Sequence, residues 1–397
     1  MNKSEFNNPI RRQVFSLPDL VEEQLTACFG HGLKELISMA EIFDARKIIL
    51  TGAGDSYAAA IAMAPVIEKY CDCFGVQVMR AVEFCRFLPT ADIGIGEPNS
   101  PLVIAISAGG GTSRVVEVLE KAAKVGAFPI LLTNNPNSKA AQAAKRVYVM
   151  ETPSLPGNDS PGLRSYFASE LGLIAFASRM GHVRGTLPPT GPAQFKKAIL
   201  DYVKSYEGEV LERIDEQMFR IAQTWKDFER FDFIGDDVEF GSAFFGAAKF
   251  LECNGCAVTV DDSEDWCHIN YFIKDPQTIG TVIMADKHSP SFGRIIETAN
   301  SAHSIGRPVL VVTNCADKVF ADGVEVCVLP ETPEGFEWLM PLMDYAPASI
   351  LAGYITTLSG EPFFRRLNVT TGEMVEDTPF ANRECFTMGN SKIEIYE

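Results

Sequence analysis

The sequence is poor in positive charge: 35 lysines and arginines face 52 aspartates and glutamates, for a formal net charge of −17. A surface of that sign repels nucleic acid and anionic membranes, so neither is expected as a partner. Any anionic ligand has to be captured locally, by backbone N–H groups and a helix N-terminus, against the field of the whole chain. No uninterrupted apolar run is long enough to span a bilayer. The opening residues MNKSEFNNPIRRQ hold no apolar stretch of the kind a secretion signal needs. A cytoplasmic location is therefore expected.

Several chemical signatures are also missing. Ten cysteines are scattered through the chain, and without a secretion signal they read as reduced, mostly buried thiols. Cys253 and Cys256 form a CxxC, but they fall inside an apolar helical run, whereas redox pairs sit at a helix N-terminus. No second CxxC completes a zinc site. The five histidines, His31, His182, His268, His288 and His303, show no spacing to carboxylates that implies a metal. No Gly-Lys-Ser/Thr follows a glycine loop, so there is no P-loop. The stretch GAGDSY has Tyr57 where a dinucleotide site needs glycine, and no acidic partner follows it. Neither a metal nor a cofactor is expected.

What is present is a globular composition, 46% hydrophobic and 22% charged, in 397 residues, a length that suits two domains. After a polar arm, residues 20–44 carry helical apolar spacing (Leu20, Leu25, Leu33, Leu36, Ile37, Ile42). ARKIILTGAGDSYAAAIAMAPVIEKY then reads as a buried strand, a glycine turn and a long helix. GVQVMRA, PLVIAIS and FPILLTN read as further strands, with the helix RVVEVLEKAAKVG between the last two and a short helix and strand after them. Apolar strands alternating with helices predict a parallel sheet covered on both faces.

The same order returns at an offset of about 180 residues. FDFIGDDVEFGSAFFGAAKFLE parallels KIILTGAGDSYAAAIAMAPVIE, and GRIIETANSAHSIGRPVLVVTN parallels SRVVEVLEKAAKVGAFPILLTN. Arg114 falls on Arg294, Gly126 on Gly306, and Thr133-Asn134 on Thr313-Asn314. The expected organisation is an N-terminal arm (1–28), a first α/β domain (29–187), a helical linker (188–228), a second α/β domain (229–360) and a tail (361–397). Each domain is expected to be a doubly wound, flavodoxin-like parallel sheet. The tail stays poorly ordered unless it docks.

The two copies diverge where ligands bind in open α/β sheets, at the carboxyl ends of the strands. In the first copy GAGDS brings Ser56 to a helix start, and SAGGGTS brings Ser107, Gly109, Gly110, Thr112 and Ser113 to another. Consecutive glycine N–H groups beside hydroxyls at a helix N-terminus suit a phosphate or sulfonate. The second copy has GDDVEF and ADKHSPS instead, and offers Glu252 at the end of GAAKFLE and His268 in DDSEDWCHINYF. A carboxylate and an imidazole are the natural pair for proton transfers on a sugar. Each also has a bland alternative, Glu252 as a helix-end carboxylate and His268 as a hydrogen-bonded loop residue.

GAGDSYAAA and ISAGGGTSRVVEVLEKAAKVGAFPILLTN resemble the signatures of sugar isomerase (SIS) domains. The paired arrangement resembles the isomerase half of glucosamine-6-phosphate synthases and the related fructosamine-6-phosphate deglycases. The resemblance implies that Ser56, Ser107, Gly109, Gly110 and Thr112 hold the anionic end of the substrate. It puts the catalytic glutamate at Glu252, at the end of a G-A-x-K-x-x-E run, and the ring-opening histidine at His268. Lys392, near the C-terminus, falls in the slot of a lysine that completes the site, and Arg383 and Met388 resemble the deglycase tail. The resemblance further implies a homodimer with a shared active site.

The chain departs from the family pattern in three places. Gly109 stands where serine is usual, Ile269-Asn270 where Gly-Pro follows the histidine, and position 2 is not cysteine, so glutamine-dependent ammonia transfer is not expected. Three functions follow: an aldose–ketose isomerase on a 6-phosphosugar or similarly anion-tipped sugar, a fructosamine-6-phosphate deglycase, or a non-catalytic phosphosugar sensor.

Overall fold

The computed structural model describes residues 3, 6–73, 75–93, 101–156, 160–361, 363 and 388–396. They form two compact α/β units. One holds residues 19–154 and 164–199 together with the C-terminal residues 388–396. The other holds the described residues among 3–18, 155–163 and 200–363.

The first unit is built on five parallel strands, β1 (Ile48–Gly52), β2 (Val76–Arg80), β3 (Leu102–Ile106), β4 (Phe128–Thr133) and β5 (Arg146–Val149), in the order β2-β1-β3-β4-β5. The three central strands are buried along their whole length, as their unbroken apolar runs require of a sheet covered on both faces. The second unit repeats the plan with β6 (Arg230–Ile234), β7 (Ala257–Asp261), β8 (Ile279–Ala285), β9 (Val309–Thr313) and β10 (Glu325–Val328), in the order β10-β9-β8-β6-β7. Traced from its own first strand, each sheet runs second, first, third, fourth, fifth. This is the flavodoxin-like order, with its crevice between the first and third strands.

The repeat extends to single hydrogen bonds. Thr133 and Thr313 close their strands, and each hydroxyl accepts an N–H two residues on, from Asn135 and Cys315, at 3.1 Å in both cases. Gly126 and Gly306, which end the preceding helices, take φ of +80° and +93°. Only glycine adopts that backbone without strain, so it recurs in both copies.

The described residues of the opening segment include two helices. Asn8 caps a helix, Pro9–Phe15, by accepting the Arg11 N–H at 3.0 Å, and a second helix runs Leu17–Cys28. Asn8 also donates to the Ile350 carbonyl at 3.0 Å, and Arg11 pairs with the buried Asp215 at 2.9 Å. Those contacts bind the helix Pro9–Phe15 into the second unit.

Candidate functional site

In the first unit two loops leave adjacent strand ends, since β1 pairs with β3 through Thr51 and Ala105. The β1 loop needs two glycines for different reasons. A Cβ on Gly52 would lie 2.9 Å from the Ser56 backbone, and Gly54 takes φ +57° as it opens the helix Asp55–Cys71. Ser56 is the second residue of that helix, so its N–H lies in the first turn, where donors have no intrahelical partner. The β3 loop turns tightly: the Gly110 N–H donates to the Ser107 carbonyl at 3.2 Å, with Gly110 at φ +62°. A Cβ on Gly110 would fall 2.0 Å from the Ser138 hydroxyl. Thr112 caps the helix Ser113–Lys124 with its backbone alone, which leaves its hydroxyl free of the usual capping bond. Gly109 and Gly111 are exposed.

The C-terminal segment packs against this loop. The Ser113 N–H donates to the Met388 carbonyl at 2.8 Å, and Lys139 donates to the Gly389 carbonyl at 3.1 Å. Arg114 is a clamp rather than a loose surface residue. Its guanidinium bonds the Ser391 hydroxyl at 3.1 Å and the Lys392 carbonyl, and pairs with the fully buried Glu117. Lys392 is thereby held by its backbone, while its exposed ammonium pairs with Glu394. Arg383 lies outside the described residues.

The second unit keeps the shape of these loops with different side chains. Gly235 repeats Gly52, since a Cβ there would meet the Glu239 carbonyl at 2.4 Å. Asp237 repeats Gly54 at φ +53°, a backbone that L-residues rarely adopt. Glu239, like Ser56, is the second residue of its helix, and Asp286, like Ser107, is the first residue after its strand. The serine hydroxyls of the first unit are thus matched by buried carboxyl groups. Burial, with the added repulsion of Asp344 and Asp286, holds the Glu239 carboxyl well above its ordinary range. Burial also pushes Asp344 up to about 8.

Glu252 sits in the last turn of the helix Val238–Asn254, partly exposed, with Oε2 2.5 Å from the Lys249 ammonium. Lys249 is fully buried and lies 3.5 Å from the Gly162 carbonyl. Its place within the G-A-x-K-x-x-E run was visible, but nothing in the local pattern separated it from an ordinary helical lysine. His268 closes the short helix Ser263–His268, and its Nε2 lies 2.8 Å from Glu264. Glu252 and His268 are not bonded to each other; each pairs on its own helix.

A buried pair fixes the histidine segment from both sides. Asp232 on β6 accepts from the Trp266 indole at 3.0 Å and from Thr259 at 2.7 Å, and it pairs with the fully buried Arg307. Arg307 in turn donates to the Asn270 carbonyl at 2.7 Å. Residues two before and two after His268 are thus held by one ion pair. Cys253 lies in the helix but Cys256 lies past its end, where Gly255 takes φ +73°, so the CxxC is not internal to a helix. Nine described cysteines are free thiols. Among the described residues no cluster of His, Cys, Asp and Glu is arranged to hold a metal, and no helix is long and apolar enough to cross a membrane.

Comparison with known proteins places this geometry. Residues 41–176 match the SIS domain family. Glutamine–fructose-6-phosphate aminotransferase (isomerizing) of Thermococcus kodakarensis is 22% identical over 386 residues, covering 94% of this chain. The chain spans only 59% of that relative's length. The C-terminal domain of glucosamine-fructose-6-phosphate aminotransferase from Francisella tularensis superposes with a TM-score of 0.78 at 17% identity, over 92% of this chain and 100% of that one. Tagatose-6-phosphate ketose/aldose isomerase from Escherichia coli gives 0.68 at 17% identity, over 91% and 95%. The chain thus carries a segment that matches the SIS domain family, and it shares the two-sheet fold of these structures.

Proposed function

We propose that the chain is an aldose–ketose isomerase acting on a sugar that carries a phosphate or similar anionic tip. The observation that carries this reading is the division of labour between the copies. The first keeps glycine loops with Ser56, Ser107 and the uncapped Thr112, and the second replaces the equivalent hydroxyls with Glu239 and Asp286. The anion therefore belongs to the first unit, where binding energy remote from the reacting carbons positions the substrate. His268 assists ring opening, and Glu252 carries a proton between carbon 1 and carbon 2. Lys249 keeps the Glu252 carboxylate in place. Lys392 serves the open-chain sugar.

A homodimer with a shared active site is part of the reading. It is supported by the exposed apolar side chains beside His268, Ile269 at 65% and Phe272 at 77%. A cytoplasmic location belongs to it as well. The docked tail, with Met388 bonded at Ser113 and Lys392 at Arg114, supports deglycase chemistry as the second reading.

One experiment separates the readings. The protein is incubated in heavy water with sugar 6-phosphates, sulfosugars and fructosamine 6-phosphates, and followed by NMR. Deuterium at carbon 2 without amine release is the expected result; stoichiometric amine release identifies the deglycase, and tight binding without turnover a sensor. Glu252→Gln is expected to lower turnover by about 10²- to 10⁴-fold. Full activity in that variant contradicts the mechanism.

A further inference from the structure

The first unit carries a second concave site, away from the glycine loops. A cavity of about 350 Å³ is lined by Lys34, Arg179, His182 and Lys196, set against an apolar wall that includes Phe29 and Leu33. No aspartate or glutamate lines it, and neither do the glycine loops. None of the four nitrogen-bearing side chains has a hydrogen bond or ion pair to a described residue; Lys196 only lies over the Phe29 ring, at 5.4 Å. In a chain of net charge −17, four unpaired basic side chains around one cavity are an exception that surface composition does not explain.

Two further observations point to a ligand. Ser178 lines the cavity with 1% exposure, and its hydroxyl has no partner. A buried hydroxyl left unbonded is costly and calls for an acceptor. Arg179 is half-buried, its Nε is shielded from solvent without a partner, and burial alone acts on it, drawing its pKa down. An anion in the cavity satisfies both groups at once.

We propose that this cavity binds a small organic phosphate with an apolar body, at a site separate from the glycine loops. Three permanent cations match a phosphate dianion, and the Phe29 and Leu33 wall takes an aromatic or aliphatic ring. The volume is at the lower end of the range for small-molecule sites, which limits the ligand to about one ring beyond its phosphate. The site does not depend on the isomerase reading, because none of its residues belongs to that machinery.

The test is calorimetric titration of the full chain with phenyl phosphate, repeated in a Ser107→Ala, Thr112→Val background that disables the glycine loops. One saturable, salt-sensitive site is expected to survive in that background, with inorganic phosphate binding more weakly because it leaves the apolar wall unused. Arg179→Gln is expected to weaken it about tenfold. Lys34→Gln with Lys196→Gln, at exposed positions that leave the fold intact, is expected to weaken it by a similar factor. Loss of all binding in the loop-disabled background overturns the proposal, as does an affinity that the double lysine substitution leaves unchanged. If Arg179→Gln fails to fold, the double lysine substitution decides alone.

Discussion

Asp344 is fully buried, and its pKa is raised from the ordinary 3.8 to about 8. A carboxyl that keeps its proton in the folded state and releases it on unfolding contributes less stability as pH rises between those two values. The native protein is therefore expected to lose stability from pH 5 to pH 8, and Asp344→Asn to remove this component. Thermal melts across that range are expected to show the variant gaining on the native chain, by about 1–3 kcal/mol at pH 8.5. A constant difference at all pH values contradicts the assignment. At this scale the sequence was only partly legible. Ser56 and Ser107 were readable because glycines marked their loops. Glu239 and Asp286 occupy equivalent positions, but a carboxylate reveals its burial only when the fold encloses it.

The segment that bears His268 depends on elements distant in sequence. Asp232 from β6 and Arg307 from the turn before β9 hold Trp266 and the Asn270 carbonyl. Removing one partner strands a buried charge, so Asp232→Ala is expected to cost about 3–5 kcal/mol in denaturant unfolding. Retention of full stability would show that the pair holds nothing. In the first unit Gly110→Ala forces a side chain into φ +62° and onto Ser138. That variant is expected to lose about 1–3 kcal/mol and its anion affinity together. The strands of the first sheet were readable from apolar runs punctuated by glycine, and the second sheet followed from the repeat. The Asp232–Arg307 pair was not readable, since its partners stand 75 positions apart and no local periodicity joins them. Capping by Asn8 and Pro9 was written in the sequence, but polar composition masked it.

At the scale of the molecule, duplication explains the most. One α/β plan appears twice, down to the Thr133 and Thr313 hydroxyl bonds, and the copies differ by hydroxyls in one and carboxyl groups in the other at matched positions. The repeat was legible because identical turns need identical residues. The docking of residues 388–396 was not, because its bonds run largely through backbone carbonyls of Met388, Gly389 and Lys392. If the chain pairs through the surface beside His268, Phe272→Glu is expected to shift a dimer toward monomer in sedimentation velocity; an unchanged sedimentation coefficient counts against that surface. The central claim is that the first copy binds the anion and the second moves the proton. Parallel NMR measurements on Ser107→Ala and Glu252→Gln in heavy water test it most directly. The claim predicts that Ser107→Ala weakens sugar-phosphate binding while saturated exchange at carbon 2 persists, and that Glu252→Gln binds the sugar phosphate normally while exchange stops. Exchange at the native rate in Glu252→Gln, or undiminished affinity in Ser107→Ala, would contradict it.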